Sequence, residues 1–254
     1  MSGNNTSQAS SYEQKSKGQR NGGLDLIDML KVEKGATILD LGCGTGYLTK
    51  VLSERVGPEG KVVAVDPDGE RLKIAKEKYS ASNIEYIQAD DRTFPAGQYD
   101  LVFSNAVIHW IRDKERLHKL VYNNLYCAGG RFAFTTPDGF FPNPAVGIKL
   151  FDELVRPDFL HQMFHEKMIL LNCNEYRNIA TSAGFKNIST TVKSIDLEWS
   201  SLDSYIDSMY GWFQGEFDPK QFDKDKLDEI KQQHGDGPVV APKPHRRLYV
   251  ILTK

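Results

Sequence analysis

Short β-rich runs alternate along this chain with segments of helical spacing, and few folds tolerate that pattern. ATILDLG (36–42), KVVAVDP (61–67), IEYIQAD (84–90), YDLVFSN (99–105) and RFAFTTP (131–137) are the candidate strands. Strands separated by crossover helices pair in parallel, so the pattern predicts an α/β fold. Two later runs, 186–199 and 247–254, bring the predicted strands to seven. Between the strands, Leu48, Val51, Leu52 and Val56 share one helical face, and Gly57 and Pro58 stop that helix. Leu117, Leu120, Val121 and Leu125 repeat the spacing, with Asp113 as the expected N-cap and Gly129 as the expected stop. A chain of 254 residues can bury one large core of this kind.

The first strand runs into LGCGTGYL, three glycines in five positions ahead of a helix. Such a turn lets a ligand approach the backbone and aims helix N–H groups at it. A phosphate loop needs GxxxxGK[ST] and a dinucleotide fold needs GxGxxG, and the GxGxG spacing here fits neither. Asp40, two residues before the first glycine, would repel a pyrophosphate but can accept from an ammonium group. Asp66 ends the second strand, where a carboxylate can take both hydroxyls of a ribose. Asp90 and Asp91 follow the third strand and could read an adenine edge, and SNAVIHW closes the fourth. All four features fall at carboxyl ends of parallel strands, the edge where open α/β sheets bind ligands.

In that order and at those separations, ILDLGCGTG, VDPD, ADDRTFP and YDLVFSNAVIHW resemble the class I S-adenosylmethionine-dependent methyltransferases. The resemblance runs from about Tyr12 to Pro137 and resumes at YRNIATSAGFKNI. It implies a Rossmann-like, mostly parallel seven-stranded sheet of order 3-2-1-4-5-7-6, helices on both faces, and S-adenosyl-L-methionine as cofactor. By motif position Gly42, Gly44 and Gly46 would border the methionine part, with Asp40 at its amino group. Asp66, followed by Pro67, would bind the ribose, Asp90 and Asp91 the adenine, and Asn105 would offer backbone near the methionine.

The pair His109–Trp110, where the fourth strand meets its helix, resembles the branch of trans-aconitate and juvenile hormone acid methyltransferases. That branch implies an N-terminal lid over the cofactor, matched here by Tyr12 and Gln19, and a small-molecule carboxylate as acceptor. His109 and Trp110 would then position the acceptor. N-methylation of a small amine, with His109 as proton acceptor or orienter, is the alternative, and a non-catalytic cofactor-binding subunit is a third reading. Phe140, Phe141, Tyr210, Trp212 and Phe213 are candidate walls of an apolar acceptor pocket.

Other chemistries are excluded by what is missing. The formal charge of -2, from 32 basic and 34 acidic residues well mixed along the chain, leaves no footprint for nucleic acid. Nor does SNAV match the NPPY-like motif of amino-base methylation, and the KPHRR cluster at 243–247 reads as a solvated loop. Cys43, Cys127 and Cys173 are too few and too scattered for arsenic chemistry or a zinc knuckle. His161 and His165 stand four apart with no third ligand, so no metal is expected. The polar start and the absence of a long apolar run predict a cytoplasmic protein without membrane attachment. Residues 1–10 read as a disordered tail, and 11–254 as one domain with a lid at 11–24 and helical cap insertions near 138–173 and 200–246.

Overall fold

The computed structural model describes residues 17–126, 129–139, 166–196, 198–212, 224–235, 237–240 and 245–254. In chain order the elements are α1 (Lys17–Leu30), β1 (Thr37–Leu41), α2 (Tyr47–Val56), β2 (Lys61–Asp66), α3 (Gly69–Tyr79), β3 (Ile84–Gln88) and β4 (Leu101–Asn105). A 3-10 turn at Ile108–Trp110 leads to α4 (Lys114–Asn124), β5 (Arg131–Pro137), α5 (Cys173–Ala183) and β6 (Asn187–Ile195). The remainder is β7 (Glu198–Trp199), α6 (Leu202–Trp212), α7 (Lys224–His234), β8 (Val239–Val240) and β9 (His245–Thr253).

Seven strands form one sheet of order β3-β2-β1-β4-β5-β9-β6. β1 to β5 pair in parallel, and β9 runs antiparallel between β5 and β6. This is the order expected from the resemblance, with β9 as the seventh strand. Because β9 is reversed, its first residues lie at the same edge as the carboxyl ends of the parallel strands: Arg247 pairs with Pro137 and Lys193.

Strand alternation sends side chains to two cores. On one face Leu26, Ile27 and Leu30 of α1 and Leu52 and Val56 of α2 pack on Ile38, Val62, Leu101, Phe103 and Tyr249. On the other, Leu117 and Val121 of α4 and Tyr176 and Ala180 of α5 pack on Leu39, Val63, Val102, Phe132, Phe134 and Val250. Burying each large aliphatic or Phe side chain is worth about 1.5–3 kcal/mol. Local chemistry sets the helix ends: Asp68 accepts from the Glu70 and Arg71 N–H groups, Asp113 from Arg116 N–H, and Asn172 with Glu175 forms a capping box.

The structure departs from the expectations in four places. The run 186–199 is broken, because β6 ends at Ile195 and Glu198–Trp199 leaves to pair with Val239–Val240 in a separate two-stranded sheet. The last strand starts at His245, so His245, Arg246 and Arg247 of the KPHRR cluster are strand residues held by β5 and β6, not a loop. The Gly/Pro-rich stretch before them contains β8, whose Val239 is buried. Finally α4 stops at Asn124, five residues short of Gly129, because the chain turns extended at Leu125 to bridge Tyr99. Tyr12, Cys127, Phe140, Phe141, His161, His165 and Phe213, with the tail at 1–10 and most of the 138–173 segment, lie outside the described residues.

Candidate functional site

The loop after β1 is held open by backbone geometry and by β2. Gly42 and Cys43 N–H both donate to the Val65 carbonyl, at 2.8 and 3.0 Å, and Gly44 N–H donates to Asp66 Oδ2 at 2.9 Å. Gly42, Gly44 and Gly46 all have left-handed φ angles, of 78°, 57° and 87°, a conformation costly for any residue with a Cβ.

Two clefts meet at this loop. The larger, of about 360 Å³, is lined by the Gly42–Gly44 loop, Asp66, Pro67, Asp68, Arg71, Asp90, Asp91, Asn105, Ala106, Val107, Trp110 and Ile111, among others. A smaller one, of about 50 Å³, lies between Gln19 and Arg20 of α1 and Asp40, Cys43, Thr45, Tyr47 and Leu48. Gly42, Gly44 and Asn105 wall both, so the pair forms one trough along the carboxyl edge of the sheet. The larger volume is that of an ordinary small-molecule site.

Most residues expected at the site are brought together there. Asp40 is 1% exposed and accepts from Thr49 Oγ1 at 2.6 Å. Burial first, and the neighbouring Asp66 charge in addition, push its carboxyl up to about 7, against the Thr49 hydrogen bond. Asp66 is also raised, chiefly by burial, although Asp68 and Gly44 N–H groups bind its oxygens at 2.9 Å each. Two buried carboxylates facing a trough suit a ligand that brings a cation and hydroxyl donors. Asp90 spends Oδ1 on Arg92 N–H, Thr93 N–H and Thr93 Oγ1, which lowers its pKa. Asp91 pairs with Arg116 from α4.

Other placements differ from the sequence reading. Gly46 lines neither cleft; a Cβ there would stand 2.8 Å from Ala75 Cβ and 2.9 Å from the Tyr86 hydroxyl, so it serves the packing of α2 on α3 and β3. Trp110 lines the larger cleft, and its indole Nε1 is buried without a hydrogen-bond partner. His109 is 5% exposed, lines neither cleft, and has a buried Nδ1 without a partner. Burial, followed by repulsion from Lys114 and His245, pushes its pKa down to about 3, so the ring is neutral at physiological pH. Cys43 lines the smaller cleft, but burial and the Asp40 and Asp66 charges push its thiol up, which makes it unreactive.

Arg20 and Arg71 escaped the sequence reading. Arg20 lies over the Tyr47 ring at 4.9 Å and brings a cation to the cleft that holds Asp40. Arg71 pairs with Asp68 at 3.3 Å beside Asp66. Arg71 stands in the first turn of the helix after VDPD, a legible position; Arg20 belongs to no motif and reaches the loop only because α1 docks there. Among the described residues, no group of three or more His, Cys, Asp or Glu side chains is placed to hold a metal ion, and no helix is long and apolar enough to cross a membrane.

The raised Asp40 carboxyl predicts a pH dependence. Its folded-state pKa lies above the ordinary value of about 4, so the stability it contributes is complete below that value and is lost as pH rises through about 7. A bound ammonium group favours the ionised form. S-adenosylhomocysteine affinity, measured calorimetrically from about pH 5.5 to about pH 7.5, is therefore expected to climb by up to about tenfold per pH unit below the pKa. Asp40→Asn should flatten that climb; an equally steep profile in the variant would assign the titration elsewhere.

Residues 38–129 match the family model described as a methyltransferase domain. Among curated proteins, the chain is 37% identical over 117 residues to trans-aconitate 2-methyltransferase of Azoarcus sp. (strain BH72), covering 46% of this chain and 45% of that protein. It is 37% identical over 108 residues to malonyl-[acyl-carrier protein] O-methyltransferase of Acetivibrio thermocellus, covering 41% and 38%. The chain thus matches less than half the length of these relatives. The YcgJ protein of Bacillus subtilis has a similar fold, with a TM-score of 0.62 at 13% identity over 92% of this chain and 98% of that one. The match to a methyltransferase domain at 38–129 and the order of the sheet around it make this part of the chain similar to the class I S-adenosylmethionine-dependent methyltransferases.

Proposed function

We propose that the chain transfers a methyl group from S-adenosylmethionine to an oxygen of a small carboxylic acid. The trough fits the cofactor by its donor set: Asp40 faces the ammonium, Arg20 the carboxylate, Asp66 the ribose hydroxyls, and Asp90 and Asp91 the adenine side. Gly44 supports this placement, since a Cβ on it would enter open space at the junction of the two clefts. When bound, the cofactor supplies a methyl group on a sulfonium, open to in-line displacement. The protein's part is to hold the acceptor on that axis and exclude water, and the Trp110 ring in the lining of the larger cleft supplies an apolar wall for it.

The observation that carries the acceptor class concerns proton removal. His109 is sealed behind the cleft wall and held neutral with a pKa near 3, too weak a base to take a proton from an ammonium or a phenol at neutral pH. A carboxylic acid is already ionised there and needs no base. The relatives named for trans-aconitate and malonyl methylation support this reading.

The test is product analysis after incubation with S-adenosylmethionine and a panel of small di- and tricarboxylic acids and small amines. Alkali-labile methyl esters are expected by mass spectrometry, with kcat flat from about pH 6.5 to about pH 8.5. Alkali-stable methylamines as the only products would overturn the carboxylate reading.

A further inference from the structure

A polar row crosses the sheet beneath the start of α1 and ends at the trough. Its centre is Thr135 on β5, 1% exposed and lining neither cleft. The Thr135 hydroxyl donates to Asn105 Oδ1 at 2.7 Å, and Asn105 Nδ2 donates to the Gln19 carbonyl of α1 at 3.0 Å. Ala106 N–H is shared between Thr135 Oγ1 and the Thr135 carbonyl, at 3.2 Å each.

Donor and acceptor chemistry orients this row in one direction only. The Gln19 carbonyl can only accept, so the Asn105 amide must turn its NH₂ toward α1 and its oxygen toward β5. The Thr135 hydroxyl must then donate to that oxygen, which leaves its lone pairs for Ala106 N–H. Ala106 needs the support, because its φ of 57° is left-handed, a strained conformation for a residue with a Cβ. Ala106 and Asn105 wall the larger cleft, and Asn105 and Gln19 the smaller. One buried hydroxyl therefore ties the corner after β4 to the rim of α1.

The two halves of α1 are seated differently. Leu26, Ile27 and Leu30 sink into the core. The earlier half rests mainly on polar contacts, Gln19 on Asn105 and Gly22 so close to Arg247 that a Cβ would fall 2.0 Å from the guanidinium, with Gly23 against Leu48, and Asp25 at the start of the later half adds Tyr249 and Lys193. That half can loosen while the apolar half stays docked.

We infer that Thr135 is a positioning residue for methyl transfer, which latches the first half of α1 and the left-handed corner at Ala106 around the cofactor trough. The cofactor's place in the trough is the proposed one, but the latch can be read without any ligand. Thr135→Val keeps the shape and loses the hydroxyl. In the ligand-free protein it is expected to raise amide hydrogen exchange at residues 21–25 about tenfold, leave the core amides of α5 unchanged, and weaken S-adenosylhomocysteine binding about tenfold. Thr135→Ser restores both, and Ala106→Gly in the Val background regains part of the affinity by relieving the strained φ. Unchanged exchange at 21–25, or an equal rise throughout the chain, would overturn the latch. Should Thr135→Val fail to fold, Asn105→Asp reads the row from its other end, since a carboxylate cannot donate to Gln19: the same local rise supports the inference and its absence overturns it. A wild-type protein that fails to bind S-adenosylhomocysteine would count against the cofactor site, with the exchange result still deciding the role of Thr135.

Discussion

Asp66→Ala is expected to weaken S-adenosylhomocysteine binding by about a hundredfold or more. The side chain sits at the carboxyl end of β2 and joins two pieces of the trough: Oδ2 accepts from Gly44 N–H and Oδ1 from Asp68 N–H. A carboxylate oxygen carries two acceptor sites, so each of these oxygens retains capacity for a ribose hydroxyl. Hydrogen bonds to a charged group are worth about 1.5–3 kcal/mol each, so losing two corresponds to about 10²–10⁴ in affinity. Truncation also orphans two N–H groups, at about 1–3 kcal/mol apiece where water cannot replace the acceptor. Calorimetric titration, with a thermal melt to measure the stability loss, separates the two effects. Affinity within threefold of wild type would remove Asp66 from the binding site.

Gly42→Ala and Gly44→Ala are expected to fail in opposite ways, although both glycines are left-handed and two residues apart. At Gly42 a Cβ would lie 2.4 Å from Val107 Cγ2 and 2.8 Å from Val107 Cγ1, and Val107 is pinned by the 3-10 turn through Trp110 N–H to its carbonyl at 2.9 Å. Overpacking of this kind costs about 1–3 kcal/mol, on top of about 1–2 kcal/mol for a left-handed alanine. The sum, about 2–5 kcal/mol, is a large share of a typical 5–15 kcal/mol stability, and Tm is expected to fall by roughly 5–15 °C. At Gly44 a Cβ meets nothing within 4 Å, so only the backbone penalty of about 1–2 kcal/mol applies and Tm should fall by roughly 2–8 °C. Its methyl group enters the space between the two clefts, and S-adenosylhomocysteine affinity is expected to drop at least tenfold. Equal melting temperatures with equal affinities would show that the loop relaxes around both.

The parallel strands and the edge that gathers the candidate site residues were legible from short-range signals, whereas the order of the sheet came with the resemblance to a known family. GxGxG after β1 demands a tight glycine turn within five residues, and the helix after it shows its buried face in the spacing of Leu48, Leu52 and Val56. Asp40 and Asp66 were legible as a pair because parallel strands bring their carboxyl ends to one edge whatever lies between them. Boundaries fared worse where a partner far along the chain decides: β6 stops at Ile195 because Glu198–Trp199 has Val239–Val240 to pair with, and α4 stops at Asn124 because Leu125 bridges back to Tyr99. His109 shows the same limit within the site. Its neighbour Trp110 faces the cleft, and which of two adjacent side chains points inward depends on a single 3-10 turn.

The sequence by itself determined the donor side of this protein: a strand, a left-handed turn and a helix, with carboxylates spaced so that a parallel sheet gathers them. Those requirements are local and leave a motif. Only the tertiary structure decided how the trough is closed and which side chains stand beside it. Gln19 meets Asn105 across 86 residues, Lys193 meets Asp25 across 168, and Tyr249 meets Asp25 across 224. No spacing rule connects positions that far apart, and they come together because α1 buries Leu26, Ile27 and Leu30 on a sheet whose reversed last strand brings Arg246 and Arg247 to the ligand edge.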